Sequence, residues 1–184
     1  IKQFLPTLQH VLAQGGRAIL MSHLGEPSGR EAAFSLKPVS SRLAELLGTD
    51  VIMAPDCIGP EVTRLANELR DGQVLLLENL RFQPGEKKND PEFSTQLAKL
   101  GEVFIGDAFA TAHRSHASMV GVPKLFKEKA AGLLMQKEVD YYHQALENPK
   151  KPLCVVIGGS KVSSKLTALV NLASKADKLI IGGA

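Results

Sequence analysis

The chain has only two cysteines, no tryptophan, and no apolar run that approaches a membrane span. Each shortage excludes something. Cys57 and Cys154 are too few for a disulfide framework and lack the paired spacing of a zinc site. A reducing compartment fits them. Crossing a bilayer takes roughly 18 consecutive apolar residues, so a helical membrane protein is excluded. No signal peptide is expected. No Lys/Arg tract, and no interleaving of aromatic with basic residues, points to nucleic acid. The chain carries no internal repeat and no low-complexity segment.

What is present is ordinary for a soluble globular protein. Of 184 residues, 44% are hydrophobic and 22% charged, and the mean hydropathy is -0.01. That length suits one domain, or one domain and part of a second. The net charge of +3 and pI near 8.9 are mildly basic, which suits an anionic partner. The chain starts at Ile1 and stops on a strand-like run followed by Gly182-Gly183-Ala184. It reads as a piece of a longer protein.

Helical and strand patterns alternate along it. Ile1, Phe4, Leu5, Leu8, Val11 and Leu12 recur at helical spacing until Gly15-Gly16 stops them. Arg17–Ser22 reads as a buried strand. Pro38 sits early in a helix carrying Val39, Leu43, Leu46 and Leu47, ended by Gly48. Strands are predicted at Val51–Ala54, Val74–Leu77 and Val103–Gly106, and helices at Val62–Leu69 and Pro91–Leu100. Residues 107–123 have too few apolar positions for a core element and read as a loop. Ala130–Leu146 reads as one long helix. The run Asn148-Pro149-Lys150-Lys151-Pro152 ends it and marks a break between units. Beyond it come a strand at Leu153–Ile157, a helix at Val162–Ala173 and a strand at Lys178–Ile181. Such alternation predicts an α/β fold, a Rossmann-like three-layer lobe on a parallel sheet, plus the first βαβ of a second lobe. The domains are residues 1–147 and 148–184.

Four segments can carry chemistry. Ligands of open parallel sheets bind beyond the carboxyl ends of strands. His23 and Gly25, in Ser22-His23-Leu24-Gly25-Glu26, follow one strand; a plain turn with a solvated His is the bland alternative. Arg81 follows another, and its guanidinium can fork onto a carboxylate or phosphate. A local pair with Glu78 or Glu86 would explain it as well. His113, Arg114 and His116 follow a third. The two histidines could suit a metal, but a structural zinc takes four ligands, and an anion site is more economical. Together His23, Arg81 and Arg114, expected on one edge of one sheet, describe a basic cleft for a small anion. The fourth segment is Gly158-Gly159-Ser160-Lys161-Val162-Ser163-Ser164-Lys165. Glycines ahead of a helix N-terminus present N–H groups to phosphate, and Lys161 and Lys165 add charge on one face. A tight turn with two solvated lysines remains the alternative. Walker A, G-x-G-x-x-G and G-x-S-x-G patterns are absent.

These segments, with Leu77-Glu78-Asn79-Leu80-Arg81-Phe82, Asp107-Ala108-Phe109, Thr111-Ala112-His113-Arg114 and Ile180-Ile181-Gly182-Gly183, together resemble phosphoglycerate kinase in order and spacing. The resemblance implies a two-lobed glycolytic enzyme of the cytoplasm, expected to be monomeric. It would pass phosphoryl between ATP and the carboxylate of 3-phosphoglycerate. His23, Leu24, Gly25, Arg81 and Arg114 would bind the substrate. Gly159, Ser160, Lys161, Lys165 and Gly183 would bind nucleotide and the transferring phosphoryl. Magnesium would accompany ATP or ADP, its carboxylate ligand outside this chain. The fragment alone is expected to be inactive, and nucleic acid and membrane are not expected partners.

Three positions depart from the resemblance. Glu26 stands where Arg is usual, and an acid there opposes an anionic substrate unless Arg30 substitutes. Ala110 and Ala184 stand where Gly is usual. A rival expectation is a non-catalytic anion-binding module of the same fold. A nicotinamide-binding Rossmann domain lacks its glycine fingerprint here.

Overall fold

The computed structural model describes residues 1–147, 149–158 and 166–182. The first half is organised around β3 (Val74–Leu76), whose residues are all buried. β1 (Ala18–Leu20) and β2 (Val51–Met53) flank it, both parallel. Ala18 and Val51 both lie opposite Val74, and Leu20 and Met53 opposite Leu76.

Successive strand side chains point to opposite faces, and the two cores follow that period. Ala18, Leu20, Val51 and Val74 pack with Leu8 of α1 (Leu5–Ala13) and Leu43 of α2 (Lys37–Leu47). Ile19, Met21, Ile52, Leu75 and Leu77 face the other cluster. It draws Val62 and Ala66 from α3 (Pro60–Glu68) and Phe93 and Leu97 from α5 (Pro91–Ala98), which follows the short α4 (Pro84–Lys88). Helices therefore cover both faces of a parallel sheet, as the alternating pattern predicts. The helix ends follow local chemistry. Gly48 closes α2 in the left-handed conformation, φ 68°, its N–H reaching Ala44 O at 2.9 Å. Asp90 caps α5 by accepting from Phe93 N at 2.8 Å.

Three expectations need correction. Residues 107–123 are not a loop without core residues. They form a 3₁₀ turn (Phe109–Thr111), a π-type turn (Ala117–Gly121) and α6 (Val122–Leu125). Ala117 and Val122 are fully buried in the second cluster. Two plugging residues five apart give no periodic signal. The helix read from Ala130 starts later. Glu128–Ala131 is a strand, β5, paired in parallel with β4 (Val103–Gly106). Gly132 separates it from α7 (Leu133–Leu146). All four β5 residues are exposed, so pairing with β4 rather than burial decides their conformation. Finally, β4 and β5 make a sheet of their own among the described residues, apart from β1-β3-β2. The three cleft residues thus follow strands of two sheets, not one.

The chain divides into two compact units, Ile1–Met135 and Gln136–Ala184, parting just inside α7. In the second, β6 (Cys154–Gly158) and β7 (Lys178–Gly182) pair in parallel, with α8 (Leu166–Ala173) between them in sequence. Gly158 lies opposite Gly182, and a Cβ on Gly158 would stand 2.7 Å from Gly182 O. A side chain there would force these strand ends apart.

Candidate functional site

Beyond β1 and β3 the chain stays paired. Leu77 N donates to Leu20 O at 2.9 Å and Leu80 N to Ser22 O at 3.0 Å. This keeps the His23 segment beside the Arg81 turn. Asn79, fully buried, joins them. Its Nδ2 donates to Leu24 O at 2.8 Å and Phe34 O at 2.9 Å, and its Oδ1 accepts from Arg81 N at 3.0 Å. Glu78 accepts from Ser35 Oγ at 2.5 Å, Leu36 N at 3.2 Å and Asn79 N at 2.9 Å. It therefore anchors the start of α2 rather than pairing with Arg81.

Arg81 is the buried cation of the site, its side chain 4% exposed. Nη1 donates to Gly25 O at 2.5 Å and to Glu26 Oε1. Nε and Nη2 have no hydrogen-bond partner among the described residues. Arg114 Nε, also buried, likewise lacks one. Buried donors are nearly always satisfied, so these three nitrogens are places where a ligand oxygen would lower the energy. Gly25 is fixed in shape by its φ of 62°, and its missing side chain makes room for the Phe34 ring.

His23, Arg81, Arg114 and His116 lie within one another's field. Burial lowers the His23 pKa first, and Arg81, Arg114 and His116 lower it further against Glu26. Burial also lowers His116, with Arg114, Arg81 and Lys87 adding to it and Glu86 opposing. Glu86, 2% exposed, accepts from Ser118 N at 3.1 Å and Ser118 Oγ at 2.6 Å, and lies 3.8 Å from His116 Nδ1. It holds the turn after Arg114 in place. His113 is exposed. Among the described residues no group of three His, Cys, Asp or Glu is placed to hold a metal ion.

The proximity fixes a pH dependence. The folded chain disfavours protons on His23 and His116, so their contribution to stability is complete above about pH 6.5, the ordinary imidazole value, and falls below it. A bound anion would oppose the arginine field and draw those protons on, and the coupling is reciprocal. Sulfate, doubly charged throughout, is expected to bind roughly 3–10-fold tighter at pH 5.5 than at pH 7.5. Calorimetry at constant ionic strength checks it. A flat profile would place the histidines away from the anion.

Arg30 does not substitute for the usual Arg at position 26. Its Nη1 pairs with Asp56 Oδ2 at 3.0 Å and its Nη2 donates to Pro55 O, both after β2. Glu26 instead turns inward to Arg81 and to Lys87 Nζ. Ser118 and Lys87 carry no pattern that singles them out in sequence, and Glu86, a candidate local partner for Arg81, bonds Ser118 instead. Cys57 is fully buried, and burial beside Asp56 and Glu78 pushes its thiol pKa far up, so it is inert. Asp107 is structural here. Oδ2 accepts from Thr7 Oγ1 at 2.6 Å and Oδ1 from Met135 N at 2.7 Å, while Leu133 N donates to Thr7 Oγ1 at 3.0 Å. These bonds satisfy free donors at the start of α7. Gly159, Ser160, Lys161, Lys165 and Gly183 lie outside the described residues.

The family model described as phosphoglycerate kinase matches residues 1–184. A cytosolic phosphoglycerate kinase of Triticum aestivum is 54% identical over 183 residues, which is all of this chain and 46% of that one. The solved phosphoglycerate kinase of Coxiella burnetii superposes with a TM-score of 0.81 at 41% identity, over 99% of this chain and 46% of that one. That of Pyrococcus horikoshii OT3 does so with a TM-score of 0.88 at 32% identity, over 99% of this chain and 47% of that one. The chain thus spans about half the length of these relatives.

Proposed function

The chain belongs to the phosphoglycerate kinase family, and from that premise we propose that it forms the 3-phosphoglycerate side of a glycolytic phosphotransferase. The reaction is 1,3-bisphosphoglycerate + ADP = 3-phosphoglycerate + ATP. His23, Leu24, Gly25, Arg81 and Arg114 bind the phosphorylated acid. The observation that carries this is Arg81, a buried guanidinium with two unpartnered nitrogens in the field of His23, Arg114 and His116. Residues 1–147 are the substrate lobe and 148–184 the start of the nucleotide lobe. Gly159, Ser160, Lys161, Lys165 and Gly183 hold ATP or ADP, with magnesium bound by a carboxylate elsewhere in the longer protein. The close approach of Gly158 and Gly182 supports that placement, since both glycine segments leave adjacent strand ends. The protein acts as a cytoplasmic monomer on small molecules. The relatives' names weigh against a non-catalytic module.

Phosphoryl transfer depends on positioning and charge neutralisation. In the enzyme carrying this chain, Lys161→Ala is expected to lower kcat at least about tenfold with less effect on KM for ATP, because charge shared between donor and acceptor peaks in the transition state. Lys165→Ala is expected mainly to raise KM for ATP. Steady-state kinetics decides. Wild-type values for both would remove the nucleotide assignment from this turn.

A further inference from the structure

We propose that Glu26 is a built-in counter-anion of the cleft, holding Arg81 and Lys87 until an external oxyanion displaces it, and that Lys87 is a further anion ligand. The inference rests on the reading of this cleft as an anion site and deepens it.

One carboxylate spans two cations from different elements. Glu26 Oε1 accepts from Arg81 Nη1, in the turn after β3, and Oε2 from Lys87 Nζ, on α4. Two cations spaced to share one carboxylate are also spaced to share another oxyanion. The partners differ in freedom. Arg81 is buried and held by Gly25 O and, through its backbone, by Asn79. Glu26 and Lys87 have side chains 58% and 47% exposed. In any exchange the guanidinium stays and Glu26 moves.

The exchange is favourable because Glu26 serves Arg81 incompletely. It takes Nη1 and leaves Nε and Nη2 without a partner. An oxyanion with three or four oxygens, seated where the Glu26 carboxylate lies between Nη1 and Lys87 Nζ, brings the guanidinium more acceptors than the single oxygen Glu26 gives it. The other ionisable groups coupled to Glu26 are basic: His23 and Arg114 join Arg81 and Lys87. Glu86 is occupied by Ser118, and Arg30 by Asp56 and Pro55. Glu26 is thus the one acid among these groups that is free to screen the cleft, and displacing it leaves a negative charge beside the incoming anion.

Inorganic phosphate at pH 7.5 is the probe, titrated into the chain and followed by NMR of the Arg81 Nε–H signal. Glu26→Gln is expected to bind phosphate about tenfold tighter at low salt, the gain shrinking as salt rises. Adding Lys87→Met to Glu26→Gln is expected to weaken binding again by about threefold or more. Unchanged or weaker binding in Glu26→Gln would overturn the counter-anion. No loss on adding Lys87→Met would overturn Lys87 as a ligand. The same titrations with 3-phosphoglycerate test the underlying reading separately. A phosphate response with no response to 3-phosphoglycerate upholds the counter-anion and faults the substrate.

Discussion

Asn79→Ala is expected to destabilise the first unit by about 3 kcal/mol, counting roughly 1 kcal/mol for each of the three hydrogen bonds its buried amide makes. For a chain of this size that is a fall in Tm of about 6–12 °C. The amide is fully buried and bridges three segments: the His23-Leu24 turn, the Phe34 carbonyl before α2, and the Arg81 backbone. Alanine leaves two part-buried carbonyls and one buried N–H without this partner, and it leaves a small cavity. Asn79→Asp separates the donors from the acceptor. It keeps the oxygen that accepts from Arg81 N but faces Leu24 O and Phe34 O with a carboxylate, so at neutral pH it is expected to be at least as damaging. Thermal unfolding of both variants is the measurement. A wild-type Tm for Asn79→Ala would mean that the two turns hold their shape without this bridge, and that the cleft is ordered by the Leu80–Ser22 and Leu77–Leu20 backbone bonds alone.

The sheet was legible because its physics is periodic. Val74–Leu77 is a continuous apolar run, as a strand buried on both faces must be. Gly48 and Pro91 mark helix ends by conformational preference that any context preserves. β5 was not legible. Glu-Lys-Ala-Ala prefers a helix, and only the free edge of β4 makes it a strand. The segment holding Ala117 and Val122 failed for the same reason, since its role is set by what it plugs rather than by its own pattern. The candidate site divides similarly. His23, Arg81 and Arg114 were visible because each follows a strand. The bridging roles of Asn79 and Glu86 were not, because a buried polar bridge is defined by partners 32 to 55 residues away in sequence. Glu26 was visible as a misplaced charge, but whether it faced the cleft or solvent depended on Lys87 of α4.

Arg81→Met is expected to weaken binding of 3-phosphoglycerate by about a hundredfold while leaving the fold intact. Arg81→Lys is expected to lose about tenfold, because an ammonium keeps the charge but not the two-pronged geometry. The stability half of this expectation follows from the way Arg81 is buried. Its guanidinium is nearly enclosed, yet two of its nitrogens are unpartnered among the described residues and its carboxylate partner is largely exposed. A buried charge so poorly compensated adds little to the folded state. An apolar side chain of similar length commonly replaces such a group at no cost or with a gain. Against that, Met forfeits the bond to Gly25 O, a loss of roughly 1 kcal/mol. Tm is therefore expected to stay within about 3 °C of wild type. The cation is retained for what it binds rather than for what it stabilises. Calorimetric titration and thermal unfolding of the same two variants separate the roles. If Arg81→Met loses Tm and binding together, the guanidinium is a strut between the Gly25 turn and the Asn79 turn, and the anion contacts pass to His23, Lys87 and Arg114.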